Sequence, residues 1–476
     1  MLGGLVVSAA PLLVAGPGVV MSAGTASASV AGPDAPPEIT MSVHRPGTAP
    51  GLLFVGPQNP MVATARGPQI VDDRGRPVWF RRLPDGYFSS DFRVQTYRGQ
   101  RVLTWWEGTQ TIPGTGITSG AGYIADSHYR VIAKVEAPKG DPPGMHEFRL
   151  TSRGTALVTA YREVPYDLSP VGGAKDGTAL DSIVQEIDVQ TGEVLLRWSS
   201  LAHVPLTESL LEPPPGAHPF DYFHVNSVDV DTDGDLLVSS LNTSTVYKID
   251  RSTGRIIWRL GGRSSTFQLA DGARFNRQHD ARAVGGDTIR IFDNQGENGL
   301  SRVVWIKLDH ERRLASLVRQ IVHPQVKAAV AEGGAAELPN GNTVVSWGSA
   351  GGFSEFSRTG ELLLDATFAE GFSTYRAYRF PWHGRPAKPP TVSLTGSAAR
   401  VVWNGATGVA RWRILAGSSR TDLRPVAQAA WDGFDTVAAL PSGAASGTRF
   451  VKAEALDAGG RVIGVSAVTP AQASGS

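Results

Sequence analysis

The chain contains no cysteine in its 476 residues. Thiol nucleophiles, disulfides, cysteine-ligated zinc and iron–sulfur clusters are therefore excluded, and the fold rests on its apolar core alone. Charge of one sign is missing too: 45 Lys plus Arg stand against 44 Asp plus Glu, a net charge of +1, and no basic block occurs. Nucleic acids and anionic membranes both require a one-signed basic surface, so neither is expected as the main partner, and a small-molecule substrate is. No cofactor motif is present.

Long apolar runs are equally scarce. Leu2 to Met21 is the one segment that approaches the roughly 20 residues of a spanning helix, and Pro11 and Pro17 break it. No Lys or Arg precedes Arg45, and Ala26-Ser27-Ala28 supplies the small-residue pattern read by a signal peptidase. Residues 1–28 are therefore expected to be a signal peptide or N-terminal anchor. The protein is expected to be secreted, or tethered to a membrane through that segment only, with residues 29–44 as a linker.

Glycine and proline are abundant, at 55 and 32, in a chain that is 41% hydrophobic and 19% charged. Such a composition describes a globular protein with many turns and short strands. A weak repeat runs through it. The clearest copy spans residues 223–262, where FHVNSVDVDTDGDLLVSSLNTSTVYKIDRSTGRIIWRLGG reads as four alternating stretches separated by Asp233-Gly234, Asn242-Thr243 and Thr253-Gly254. These are hairpin turns. Related segments at 51–82, 91–137, 145–200, 278–321 and 334–368 bring the number of units to about six. Units of this length, each unable to bury its faces alone, predict an all-β fold: a six-bladed β-propeller over residues 45–385. Beyond Pro386, Pro389 and Pro390 the alternation of Val401-Val402-Trp403, Trp412-Arg413-Ile414-Leu415 and 450–455 predicts a small fibronectin/immunoglobulin-like β-sandwich over 391–471.

Aligning the units by their turn glycines puts His146, His224 and His279 at one equivalent position, at the start of the first strand. First strands of propeller blades line the axis, so the three imidazoles are expected to converge. His44, His128, His203, His218, His310, His323 and His383 share no such register and read as loop or surface residues. Three histidines admit several chemistries: a zinc site, although no HExxH motif accompanies them, or nucleophilic, acid–base and anion-holding roles for imidazole. Arginine is the natural companion for sulfate or phosphate oxygens, and Arg302 and Arg376 are the candidates. Asp229-Val230-Asp231-Thr232-Asp233-Gly234 imitates the opening of a calcium loop, but Ser240 stands at its twelfth position, so a strand running into an Asp-Gly turn is expected instead. Trp105-Trp106 and the other tryptophans are expected mostly to pack between sheets, with an aryl-binding role for one or two as the alternative.

Four segments, FHVNSVDVDTDGDLLVSS, YKIDRSTGRIIWRLGG, RQHDARAVGGDTIRIFDN and STYRAYRFPW, together resemble the arylsulfotransferase (arylsulfate sulfotransferase) family in its actinobacterial and fungal branch, over roughly residues 45–383. The resemblance implies a six-bladed propeller. It also implies transfer of a sulfuryl group from a phenolic sulfate ester to a phenolic acceptor, without a nucleotide donor, through a transiently sulfated histidine. Carried over by motif, it marks His224 and His279 as catalytic, with His146, Arg302 and Arg376 as further candidates. Asn226, Asp293, Asn294 and Tyr375 are the expected substrate contacts. Two family residues have no counterpart: no arginine follows the Asp293-Asn294-Gln295-Gly296 turn directly, and Gly348 to Phe353 holds no histidine where the family's nucleophile falls. An exported sulfotransferase and a secreted, non-catalytic propeller binding an aromatic or anionic ligand are the two readings that follow.

Overall fold

Asp-Gly, Thr-Gly and Gly-Gly turns recur along the chain and each folds the next stretch back on the last, so the repeat becomes a series of antiparallel meanders. The computed structural model describes residues 35–59, 66–112, 115–137, 141–216, 218–296, 298–325, 327–444 and 447–471, and the expected signal segment lies outside them. Six sheets follow one another, each built on four antiparallel strands. The second sheet runs Phe88–Tyr97, Gln100–Ile112, Ile117–Ala125 and Val131–Val135, and the third Phe148–Leu150, Thr155–Tyr166, Gly177–Asp188 and Val194–Ser199. The fourth comprises Val225–Val230, Leu236–Ser240, Thr245–Ile249 and Ile256–Gly261, in the order read from the sequence. The fifth starts at His279–Gly285 and the sixth at Gly334–Glu337.

The first sheet is completed from the far end of the chain. Ala377–Phe380 pairs antiparallel with Leu52–Val55, in front of Gln69–Val71 and Pro77–Phe80. The inner strands of neighbouring sheets pack on one another, Thr155–Tyr166 of the third sheet meeting Val225–Val230 of the fourth, and the sixth sheet returns to the first through Gly334–Glu337 against Ala377–Phe380, so the sheets close a ring. Apolar side chains fill the spaces between successive sheets; Leu237, Val246 and Trp258 of the fourth, for example, meet Ile289, Ile291 and Val304 of the fifth. The expectation of a linker over 29–44 fails for its last residues. Ile39–His44 is a strand paired with Leu362–Phe368 at the outer edge of the sixth sheet, because its alternating side chains bury Ile39 against that sheet.

Two further sheets follow Pro390 and enclose their own core of Val401, Trp412, Ile414, Val451 and Ala453. They dock on the first sheet: the N–H of Gly405 donates to Val78 at 2.8 Å, that of Phe434 to Pro77 at 2.8 Å, and Asn404 bonds both backbone groups of Phe80. Gly405 has φ +97°, and a β-carbon there would stand 2.3 Å from the Tyr129 ring, so only glycine permits this approach.

Inside the ring the first strands carry a buried charge network. Arg376 is 2% exposed and lies 3.1 Å from Asp91, 3.3 Å from Glu147 and 3.2 Å from Asp280, carboxylates of three different sheets. Glu147 also meets Arg93 at 3.0 Å and Arg282 at 2.7 Å. Burial opposes its ionisation, but the arginines at 282, 376 and 93 hold its carboxyl well below the usual range. Removing one partner of such a network leaves an uncompensated buried charge. Glu147→Gln is therefore expected to lower unfolding stability by about 3–5 kcal/mol in a urea titration; a loss under about 1 kcal/mol would show that the network does not hold the ring together.

Candidate functional site

The site is built where the inner strands begin, and bulges there decide which side chains reach the axis. A regular strand sends neighbouring side chains to opposite faces; a bulge breaks that rule. Register shifts occur between Ser90 and Arg93 and between His279 and Arg282, with Asp91 (φ 53°) and Asp280 (φ 54°) in the left-handed region. Asp tolerates this backbone better than most residues. Hence His279 and its neighbour Asp280 both serve the interior, the first at the site and the second beneath it on Arg376. His224 itself has φ 56°, just ahead of Val225–Val230.

The three predicted histidines come together around Tyr375. His146 and His224 stand edge to face with centroids 5.0 Å apart, Tyr375 lies 5.6 Å from His146 and 6.2 Å from His279, and Tyr161 is 5.5 Å from His146. Nδ1 of His224 is hydrogen-bonded to Asp221 at 2.5 Å. Tyr161 donates to the carbonyl of Val225, so its oxygen faces Nδ1 of His146, at 3.4 Å, as an acceptor. Both rings therefore carry a proton at Nδ1, and among the described residues no group hydrogen-bonds Nε2 of either. Gly116, at φ +76°, lies over this pair; a β-carbon there would stand 3.5 Å from Nε2 of His146 and 3.6 Å from Cε1 of His224. Glycine thus leaves the ring edges bare.

His279 is bound differently. Its Nδ1 donates to the Asn294 carbonyl oxygen at 2.8 Å; the Asn294 amide is fixed in that orientation by donating to the carbonyls of Ala329 and Glu332. Its Nε2 accepts the N–H of Glu332 at 3.2 Å. Burial drives the pKa of His279 down to about 3, and burial with neighbouring His224, His279 and Arg376 holds His146 well below the usual histidine range. Both are neutral at pH 7.

The remaining candidates are placed less directly. Arg376 lies beneath the imidazoles, ion-paired with Asp91, Glu147 and Asp280 and donating to the Asn226 carbonyl, while its Nε has no hydrogen-bond partner. Arg302 is held by Asp293 at 2.9 Å, the Arg274 carbonyl and Gln320. Neither guanidinium presents a free fork to the histidines. Asn226 braces the floor: its carbonyl accepts Tyr375 Oη at 2.8 Å, and its amide donates to Gln278. Gly348–Ala350 forms a short 3₁₀ turn before Phe353–Phe356.

His323 departs from the surface reading. It is 5% exposed, bonded to Asp365 at 3.2 Å and packed edge-on against Trp347, because its Nε2 finds a carboxylate inside the sixth sheet. Trp105 and Trp106 are buried, and Lys248 occupies the space between Asp231 and Asp233, while Asp229 turns inward to Arg149. Among the described residues no set of three His, Asp or Glu is arranged to hold a metal ion.

Three groups were not found from the sequence: Asp221, Tyr161 and Glu332. Asp221 lies three residues before His224, and only the left-handed turn at His224 brings the two together. Glu332 reads as an ordinary loop charge, yet its Oε1 accepts from Gln58 at 2.6 Å, its Oε2 is buried without a partner, and burial pushes its pKa up to about 7.

Comparison with known proteins gives one family match, to the model described as Arylsulfotransferase (ASST), over residues 93–369. No curated protein matches the chain. Solved structures with some likeness include a protein of unknown function from Bacteroides caccae (14% identity, 69% of this chain and 98% of that one, TM-score 0.42). A putative 6-phosphogluconolactonase from Bacteroides fragilis shares 13% identity over 70% of this chain and 99% of its own, at TM-score 0.34. For virginiamycin B lyase from Staphylococcus aureus the figures are 10%, 79%, 94% and 0.32. At these scores the structural likenesses carry no weight on function.

The neutral histidines and the raised carboxyl make opposite pH predictions. His279 is protonated more readily unfolded than folded, so its contribution is full above pH 6.5 and is lost as pH falls from there towards 3. Glu332 contributes the reverse, a loss of stability as pH rises from about 4.5 through about 7. In urea titrations between pH 4.5 and 6.5, His279→Gln should flatten the rise of stability with pH by about 1.4 kcal/mol per unit, and Glu332→Gln should steepen it. Parallel curves for all three proteins would contradict these assignments.

Proposed function

We propose, from the premise that the chain belongs to the arylsulfotransferase (ASST) family, that it is an exported enzyme transferring a sulfuryl group from a phenolic sulfate ester to a phenolic acceptor without a nucleotide donor. On this reading the six sheets are the blades of a six-bladed propeller and the last two form a fibronectin-like sandwich. The observation that carries the proposal is the pair His146 and His224, 5.0 Å apart, each with Nε2 unclaimed by any described residue beneath Gly116.

The two rings have different tasks. His146 is kept neutral by burial, so its Nε2 lone pair is available to attack sulfur. As the N–S bond forms and the S–O(aryl) bond breaks, the departing phenolate takes a proton delivered from Nε2 of His224, whose ring Asp221 orients through Nδ1. In the second half the acceptor phenol gives its proton to Nε2 of His224, its oxygen attacks sulfur, and the bond to His146 breaks. The enzyme returns to its starting state. His146 thus stands in for the family histidine that Gly348 to Phe353 lacks, and Tyr375, Asn226 and Asn294 position the rings.

The test is release of a fluorescent phenol from its sulfate ester, with and without a second phenol. Acceptor-dependent release is expected in the native protein and about 10²–10⁴-fold less in His224→Ala and Asp221→Ala. Label from a ³⁵S aryl sulfate should remain on the native protein after a rapid alkaline denaturing quench, because an N-sulfated imidazole is labile in acid, and be absent in His146→Ala. No acceptor-dependent release across a broad panel of phenols would overturn the proposal in favour of a ligand-binding role.

A further inference from the structure

Below the imidazoles and the Arg376 network, the same inner strands form a second chamber. His146, His279 and Tyr375 are followed three residues later by Arg149, Arg282 and Tyr378, about 10 Å further along at about 3.3 Å per residue. There a cavity of about 200 Å³ is lined by Arg93, Arg149, Arg282 and Arg290, with Asp229 and Asp280. Its separation from the histidines is the thickness of the layer in which Arg376 meets Asp91, Glu147 and Asp280.

The charges around this cavity do not balance. Arg93 is met by Asp91 and Glu147 at 3.0 Å, Arg149 by Asp229 at 2.9 Å, and Arg282 by Glu147 and Asp280 at 2.7 Å. Counting Arg376, five guanidinium groups face these four carboxylates. Arg290 is the one left over. It is 7% exposed, its Nε is buried without a hydrogen-bond partner, and its nearest carboxylates, Glu337 at 3.7 Å and Asp280 at 3.9 Å, lie beyond hydrogen-bond distance. Glu337 is shared with Arg319 and the Trp305 indole, and Asp280 is already engaged by two other arginines. Burial, with Arg282 as its unfavourable neighbour, lowers the pKa of Arg290. Since guanidinium does not lose its proton in proteins, Arg290 stays charged there, with the cost of its burial only partly offset by Asp280 and Glu337.

We propose that this cavity is a binding site for one small oxyanion, seated on the guanidinium fork of Arg290 and balancing the surplus charge between the fifth and sixth sheets. A fork of N–H donors matches the paired oxygens of sulfate, phosphate or a carboxylate and offers no such match to a spherical ion. The site is independent of the transfer chemistry, and its occupation ties down the ring at the mouth away from the histidines.

The experiment is equilibrium dialysis of the full chain with ³⁵S-sulfate at constant ionic strength, with melting curves as sulfate replaces chloride. One saturable sulfate per chain, with a rise in Tm, is expected in the native protein and unchanged in His224→Ala. Binding should weaken at least tenfold in Arg290→Met. Ala336→Asp, which sets a carboxylate in the cavity wall, should abolish sulfate binding and raise Tm in its absence; it decides the matter if Arg290→Met does not fold. Phosphate and acetate should compete, as the fork reads paired oxygens. Sulfate binding that is lost in His224→Ala, that persists in Ala336→Asp, or that chloride displaces as effectively as phosphate would overturn the proposal.

Discussion

Burying Arg376 among Asp91, Glu147 and Asp280 is the constraint on which the rest of this structure depends. A guanidinium removed from water is tolerated only where its charge is matched, and here the carboxylates come from the second, third and fifth sheets. The sheets must therefore be in place before Arg376 can be. Arg376 itself stands immediately before the strand that completes the first sheet, so closing the ring and satisfying the charge are one event. Tyr375 arrives with it, and only then do His146 and His279 acquire the wall between them.

The same network sets the electrostatics of the site above it. A buried positive charge beneath the rings adds to desolvation in keeping His146 and His279 neutral. His224 differs because Asp221 lies against its Nδ1. Three histidines equivalent in the repeat thus acquire three characters from their surroundings: one neutral with an unclaimed nitrogen, one paired with a carboxylate, and one held at both nitrogens by Asn294 and the Glu332 backbone.

What the sequence revealed was what lies within one repeat. Turn pairs such as Asp233-Gly234 and Thr253-Gly254 act over a few residues, and they place the strands of the fourth sheet where the alternation does. The register of His146, His224 and His279 was legible for the same reason. Contacts between repeats were not. The partners of Arg376 lie as far as 285 residues away, as at Asp91, and nothing local distinguishes a guanidinium destined for carboxylates from one offered to a sulfate ester. The same holds for Arg302, whose partner is Asp293. Asp221 and the bulges at Asp91 and Asp280 depend on left-handed backbone at residues other than glycine, which no periodicity announces.

The engagement of both arginines bears on how charge is managed in the proposed transfer. Sulfuryl oxygens gain little extra charge when the S–O(aryl) bond breaks; the charge develops on the leaving phenolate. A site without a free guanidinium can still serve such a reaction if it supplies a proton to that oxygen, and His224 with Asp221 is built to do so. A fixed positive fork would bind the ester's oxygens in ground and transition state alike, and uniform binding does not raise the rate of the chemical step. With Arg376 committed to the ring and Arg302 to Asp293, the proposed rate enhancement rests on the proton held at His224 and on the dry, neutral imidazole facing it.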